Sequence, residues 1–249
     1  MRNDIKQKNK CIKMFSVPAA YYINLDSRSD RKRRFEEHWR GIFTEPIQRF
    51  SAIKTSENIR GCGASHAELV LSMKTNPSIP FIVVFEDDAE RTPDFIKVFG
   101  KVIEYAKTHD DWNIINCGTN TVVGLHKDVH IPPTIRLITP ELFSTTVWSN
   151  AQTIIYGRGA IPIAEEYLEN MKNGMIPLDS HYSHNDVYFS THRLAKSLIT
   201  SYLLTVQYPD WSDNQKIESN QITTFSIAAL DLYYLRELYK KGVRVVKIS

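Results

Sequence analysis

Apolar positions recur along the chain in two alternating rhythms. Short segments rich in apolar, often β-branched or aromatic residues occupy positions 19–25, 46–53, 81–85 and 112–117. The run at 81–85 predicts a strand buried on both faces and that at 112–117 another buried strand, while 19–25 and 46–53 are strand candidates. Between them the apolar positions fall three and four apart, the spacing of a helix face. Phe35, Trp39 and Ile42 mark one such face, and Leu69, Val70 and Met73 another. The expected order is strand 19–25, a helix capped by Ser27 or Ser29 and running to about 39, and strand 46–53. After a break at Gly61-Cys62-Gly63 come helix 64–74, strand 81–85, helix 93–107 and strand 112–117. Regular alternation of this kind predicts an α/β fold with a mostly parallel sheet. Residues 118–140 read as irregular, 145–156 as strand, 159–172 as helix, 201–208 as strand and 222–241 as helix. Residues 1–16 read as a flexible N-terminal arm. With no internal repeat and no linker, residues 17–249 read as a single domain.

Charge and composition narrow the function classes. A net charge of +3 on 249 residues is too small for nucleic acid to be the main partner. Three widely spaced cysteines (Cys11, Cys62 and Cys117) form neither a disulfide framework nor a zinc cluster pattern. The polar, basic start has no apolar segment of signal-peptide length. Nor does any stretch approach the roughly 20 apolar residues of a membrane span. The expectation is a cytoplasmic protein with no transmembrane segment.

Candidate chemistry gathers at the ends of the expected strands. Strand 81–85 runs straight into Glu86-Asp87-Asp88. Open α/β sheets bind ligands at the carboxyl ends of their strands. Three adjacent carboxylates need a compensating partner, and hard oxygen ligands suit Mg²⁺ or Mn²⁺. The bland alternative is an acidic turn capping the next helix, but Thr92-Pro93-Asp94 already supplies that cap. The turn from Asn24 to Arg31 opens a helix and carries Arg28 and Arg31, a pairing that suits phosphate as well as an ordinary capped turn. Ser65 and Glu68 fit a capping box; His66 fits a core, a solvated or a nucleotide-facing position. Cys62 reads as a small buried thiol. Asp179, His181, His184 and Asp186 fall within eight residues, a set suited to a general base or to metal ligation, or to a polar loop. Residues 206–213 end a strand in a polar, aromatic turn.

These segments, in this order, resemble glycosyltransferase family 25, the lipooligosaccharide and collagen galactosyltransferase-like proteins. The resemblance rests on Ile23-Asn24-Leu25-Asp26-Ser27-Arg28-Ser29-Asp30-Arg31, Gly61-Cys62-Gly63-Ala64-Ser65-His66 and Glu86-Asp87-Asp88-Ala89. It continues through Tyr156-Gly157-Arg158-Gly159-Ala160, Pro177-Leu178-Asp179, Gln207 and Ser212-Asp213. It implies a GT-A-type fold, Rossmann-like, with a mixed, mostly parallel sheet flanked by helices. The donor-binding part would span about 17–120 and the acceptor-binding part about 121–249. The implied activity is metal-dependent, inverting transfer of a hexose, galactose or glucose, from a UDP-sugar to a hydroxyl of a glycan, lipooligosaccharide or glycoprotein. Glu86-Asp87-Asp88 would be the DxD-like element. Asp88 would hold Mn²⁺ or Mg²⁺, and Glu86 or Asp87 would contact the ribose or a metal-bound water. Asn24, Leu25, Arg28, Arg31, Ser65 and His66 would border the nucleotide. Asp179, or else Asp186, would be the catalytic base, with His181 or His184 completing the metal shell. One departure is Ser51-Ala52-Ile53-Lys54-Thr55, where family members often carry an acidic residue. That departure keeps open an alternative, a catalytically silent glycosyltransferase-like protein that binds a sugar or a partner. A nucleotidyltransferase ranks last, because the first strand is not followed by a glycine-rich loop.

Overall fold

The computed structural model describes residues 15–55, 58–121, 134–145, 148–176, 185–212, 217–219 and 222–247. In chain order the elements begin with β1 (Ala20–Asn24), α1 (Ser29–Trp39), β2 (Gln48–Ser51), α2 (Asn58–Thr75) and β3 (Phe81–Glu86). Then come β4 (Ala89–Arg91), α3 (Phe95–Thr108), β5 (Ile114–Asn116), β6 (Thr119–Thr121), β7 (Thr134–Leu137) and β8 (Leu142–Ser144). β9 (Ser149–Ala151) and β10 (Thr153–Gly157) precede α4 (Ile161–Lys172), α5 (Asn185–Thr191), β11 (Ser197–Thr200) and β12 (Thr205–Gln207). β13 (Asp210–Ser212), β14 (Ile217–Ser219), α6 (Ile222–Lys240) and β15 (Val245–Lys247) complete the order.

Among the described residues the main sheet has nine strands in the order β15-β7-β8-β11-β5-β10-β3-β1-β2. β1 runs parallel to both β2 and β3, and β5 runs parallel to β11. β10 enters antiparallel between β3 and β5, while β8 and β15 are antiparallel to their neighbours. Strands β1, β2, β3, β5, β7 and β11 therefore point one way, and β8, β10 and β15 the other. The sheet is mixed: six of its nine strands share one direction, as the alternating pattern predicts, while the inserted strands make five of the eight neighbouring pairs antiparallel.

The pleat of β3 explains the layering. Successive side chains of a strand point to opposite faces. Ile82 and Val84 join one apolar core with Ala67, Val70 and Met73 of α2, Tyr167 of α4 and Phe189 of α5. Phe81, Val83 and Phe85 join the other, with Phe35 and Trp39 of α1 and Phe95, Phe99 and Val102 of α3. All five strand residues are 0% exposed, so the apolar run of residues 81–85 does pack on both sides. Helices on both faces of one sheet form three layers, with the carboxyl ends of β1, β2 and β3 at a common edge.

Several local expectations change. Gly61 and Gly63 do not break the chain before α2; they lie inside it. The absence of a side chain serves close approach there. A Cβ on Gly61 would run into the Ile53 carbonyl, and one on Gly63 into the Tyr167 hydroxyl. Ser65 is accordingly no cap. It is buried mid-helix, donates to the Gly61 carbonyl (2.7 Å) and accepts from the Ile53 amide (2.8 Å). Neither serine caps α1, whose N-cap position is Arg28 without a side-chain capping bond. The Thr92 hydroxyl donates to the Leu203 carbonyl, and α3 begins only at Phe95. The expected strand at 201–208 divides, because β11 ends at Thr200 and β12 pairs with β4 outside the main sheet. Tyr167 is fully buried and cannot swing aside. Gly63→Val is therefore expected to destabilise the protein by about 1–3 kcal/mol through overpacking, read by urea unfolding. A wild-type midpoint would show that α2 and α4 are not in this contact.

Candidate active site

The parallel edge shapes the site. The chain leaves β1 at Leu25, β2 at residues 52–55 and β3 at Glu86-Asp87-Asp88, and all three exits line one cleft. Ile23, Arg31, Cys62, His66 and Gln207 complete its wall, around a cavity of about 100 Å³ that opens to solvent. Ile23, Leu25, Ala52 and Ile53 give it an apolar side, and the carboxylates a strongly polar one.

Helix α1 delivers the counter-charge. Arg31 is 6% exposed, and its NH1 donates to Asp87 Oδ1 (2.9 Å) and Asp88 Oδ2 (3.0 Å). Its Nε reaches Asp210 Oδ2 at 3.3 Å. Arg28 and Arg34, three residues either side on the same helix face, converge on that same Asp210 oxygen at 2.9 and 3.5 Å. Arg28, Arg31 and Arg34 thus form an internal clamp. Asn24, 1% exposed, donates from Nδ2 to Asp87 Oδ2 (2.7 Å) and accepts from Arg49 Nε (2.9 Å). Gln207 Nε2 donates to Asp88 Oδ2 (3.1 Å), and the Tyr208 amide to the Asp88 carbonyl (2.8 Å).

The clamp does not neutralise the cleft. Glu86, Asp87 and Asp88 bring three carboxyl groups together, and Arg31 brings one guanidinium to them. Burial, reinforced by Asp88, Asp87 and Asp186, drives the Glu86 carboxyl well above its ordinary range. Burial likewise pushes Asp88 up to about 6 against the pull of Arg31. Burial thus holds Glu86 and Asp88 towards their neutral forms. A divalent cation fits this donor set on chemical grounds: clustered hard oxygens at a cleft wall.

Behind Glu86 lies a second group. Cys62 and His66, four apart on α2, face the end of β3. Cys62 Sγ and His66 Nε2 each stand 4.0 Å from Glu86 Oε1. His66 is 1% exposed, and burial lowers it to about 4, so it is neutral at pH 7. Its Nδ1 meets the Tyr156 hydroxyl at 3.1 Å, while Nε2 makes no hydrogen bond among the described residues. Burial pushes the Cys62 thiol up, with Glu86 and Asp186 adding to the shift.

The cleft thus gathers Leu25, Arg31, His66, Glu86, Asp87 and Asp88 from the expected set. Asn24 and Ser65 stand behind its wall as ties, and Arg28 sits beside it on Asp210. Asp186 opens α5 and is close enough for its charge to bear on Glu86 and Cys62. Asp179, His181 and His184 lie outside the described residues. Cys62, Asp210 and residues 52–55 were not among the expected site residues. The C-x-x-x-H spacing of Cys62 and His66 was the available signal, hidden by the supposed break at Gly61 and Gly63.

No family model matches the chain, and no curated protein matches it significantly. Solved structures that superpose on it include a glycosyltransferase involved in the glycosylation of the major capsid of PBCV-1. That overlap has 7% identity, 88% of this chain, 100% of that chain and a TM-score of 0.49. Mannose-1-phosphate geranyltransferase from Thermus thermophilus overlaps at 8% identity, 72% of this chain, 58% of that chain and a TM-score of 0.40. A197 from STIV overlaps at 14% identity, 83% of this chain, 95% of that chain and a TM-score of 0.39. Overlaps this loose carry no chemistry across. The resemblance to family 25 stands on the ordered motifs alone. No helix among the described residues is long and apolar enough to cross a membrane.

Proposed function

We propose that the chain is a GT-A-type glycosyltransferase of the family 25 kind, moving a hexose from a UDP-sugar to a hydroxyl of a glycan, lipooligosaccharide or glycoprotein. The observation that carries this reading is the carboxylate cluster at the end of β3, in a cleft with an apolar opposite side. The apolar side, Ile23, Leu25, Ala52 and Ile53, suits the flat face of a base and its ribose. The carboxylates suit a metal-bridged diphosphate.

Asp88, with Glu86 and Asp87 beside it, would hold Mn²⁺ or Mg²⁺. The ion supplies Lewis-acid stabilisation of the departing diphosphate. The chain's own residues do the rest. Arg31 fixes Asp87 and Asp88 in one orientation, and Asn24 and Gln207 restrain the same two carboxylates. A carboxylate within reach of the acceptor takes its hydroxyl proton. The acceptor oxygen then bonds to the anomeric carbon from the face opposite the diphosphate, the bond to the diphosphate oxygen breaks with its electron pair, and the configuration inverts. The base role falls to Asp179 or Asp186. The proximity of Asp186 to Glu86 favours a place for it at the donor end of the cleft.

A thermal-shift panel of nucleotide sugars, with and without Mn²⁺, tests the donor class. A UDP-sugar is expected to raise the melting temperature only with the ion present. For the base, Asp179→Asn or Asp186→Asn is expected to leave UDP binding within about twofold while turnover falls by about 10²–10⁴-fold. If both variants turn over at the wild-type rate, neither is the base.

A further inference from the structure

We infer that Cys62, His66 and Glu86 form a second cation site, behind the carboxylate cluster, that takes a thiophilic divalent ion of the Zn²⁺ class. Sγ, Nε2 and a carboxylate oxygen lie within 4.8 Å of one another. Zinc bonds of about 2.0–2.3 Å to S, N and O ligands place such atoms about 3.3–3.7 Å apart in a tetrahedron. Closing the set therefore shortens separations by at most about 1.5 Å, within the reach of side-chain rotation.

Three further features point to a ligand here. His66 Nε2 is buried, makes no hydrogen bond among the described residues, and is aimed at the other two donors. A buried nitrogen left in that state is costly unless something binds it. Its other ring nitrogen is held by Tyr156, itself fully buried. That is the outer partner that ligating histidines use to fix ring orientation. Finally, α2 is pressed against the Ile53 carbonyl at Gly61 and against Tyr167 at Gly63, which sets the helix face bearing Cys62 and His66.

The donor types set the class of ion. Thiolate and imidazole favour zinc and its neighbours, whereas Mg²⁺ and Mn²⁺ prefer the oxygens of Asp87 and Asp88. The two sites meet at Glu86. An ion held behind it would pin the end of β3 to α2 and fix the back wall of the cleft. Such an ion does not depend on sugar transfer, and neither donor nor acceptor is needed to detect it.

Cobalt(II) is the probe, added to the metal-stripped whole chain without nucleotide. The expected result is a near-ultraviolet thiolate-to-cobalt charge-transfer band saturating at one ion per chain. Equimolar Zn²⁺ should erase it, and a large excess of Mg²⁺ should not. The band should vanish in Cys62→Ser and persist in Cys11→Ser. His66→Gln should weaken cobalt binding at least tenfold, and Tyr156→Phe by about tenfold. Absence of the band from the folded wild-type chain overturns the site without reference to any variant. So does a band that survives Cys62→Ser.

Discussion

Asp88→Asn is expected to make the protein inactive and more stable at once. On the activity side, the substitution removes a charge from the element that would hold the metal and diphosphate. The expected loss of UDP-sugar turnover is on the order of 10²–10³-fold. On the stability side, Asp88 is 4% exposed and its carboxyl is raised to about 6 by burial and by Asp87. Its folded value lies above its unfolded value of about 3.9. The ionised group therefore works against folding: the penalty is absent below about pH 4, grows as the pH rises towards 6, and is constant above. Asparagine keeps an oxygen to accept from Arg31 and Gln207 but carries no charge. The variant should gain about 1–2 kcal/mol at pH 7.5 and nothing at pH 4, measured by urea unfolding at both values. A variant less stable than wild type at pH 7.5 would show that Asp88 is not crowded in this way.

Arg31→Leu is expected to have the largest effect on stability. Its guanidinium touches Asp87, Asp88 and Asp210 together. Removing one partner of a buried ion pair leaves uncompensated charge, at about 3–5 kcal/mol. The deficit should shrink on acidification, because protonated carboxyls no longer need the partner. It should also shrink when Asp88→Asn is combined with it. In a double-mutant cycle the two changes should therefore couple by at least about 1 kcal/mol. Strict additivity would place the two side chains out of contact. In the proposed enzyme this residue is a positioning group. It orders Asp87 and Asp88 for a cation, and its loss should abolish donor binding along with rigidity.

The parts of the fold that were legible in the sequence are those where local pattern and tertiary role agree. β3 is the clearest case: five apolar residues demanded burial on two faces, and the alternation of Ile82 and Val84 against Phe81, Val83 and Phe85 supplies both cores. The carboxylates at its end were legible for a related reason, since three acids closing a buried strand call for a compensating partner. What was not legible depends on distant partners. Glycine usually interrupts a helix, and only the nearness of Ile53 and Tyr167 turns Gly61 and Gly63 into helix-packing positions. Reading a break there concealed the shared face of Cys62 and His66. The shared partner of Arg28 and Arg31 was not legible because Asp210 lies some 180 residues away. Similarly, residues 201–208 carry a strand composition, but β12 leaves the main sheet to pair with β4, a choice that depends on where residues 89–91 lie.

In the proposed enzyme the cleft at the end of β3 binds the diphosphate of a nucleotide sugar through a carboxylate-held ion. Calorimetric titration of UDP into the whole chain, in Mn²⁺ and again in excess chelator, tests this most directly. The predicted result is saturable binding at one UDP per chain in Mn²⁺, abolished by chelator and by Asp88→Asn. UDP binding that is equally tight in chelator and in Asp88→Asn, or no binding in Mn²⁺ at all, would contradict it.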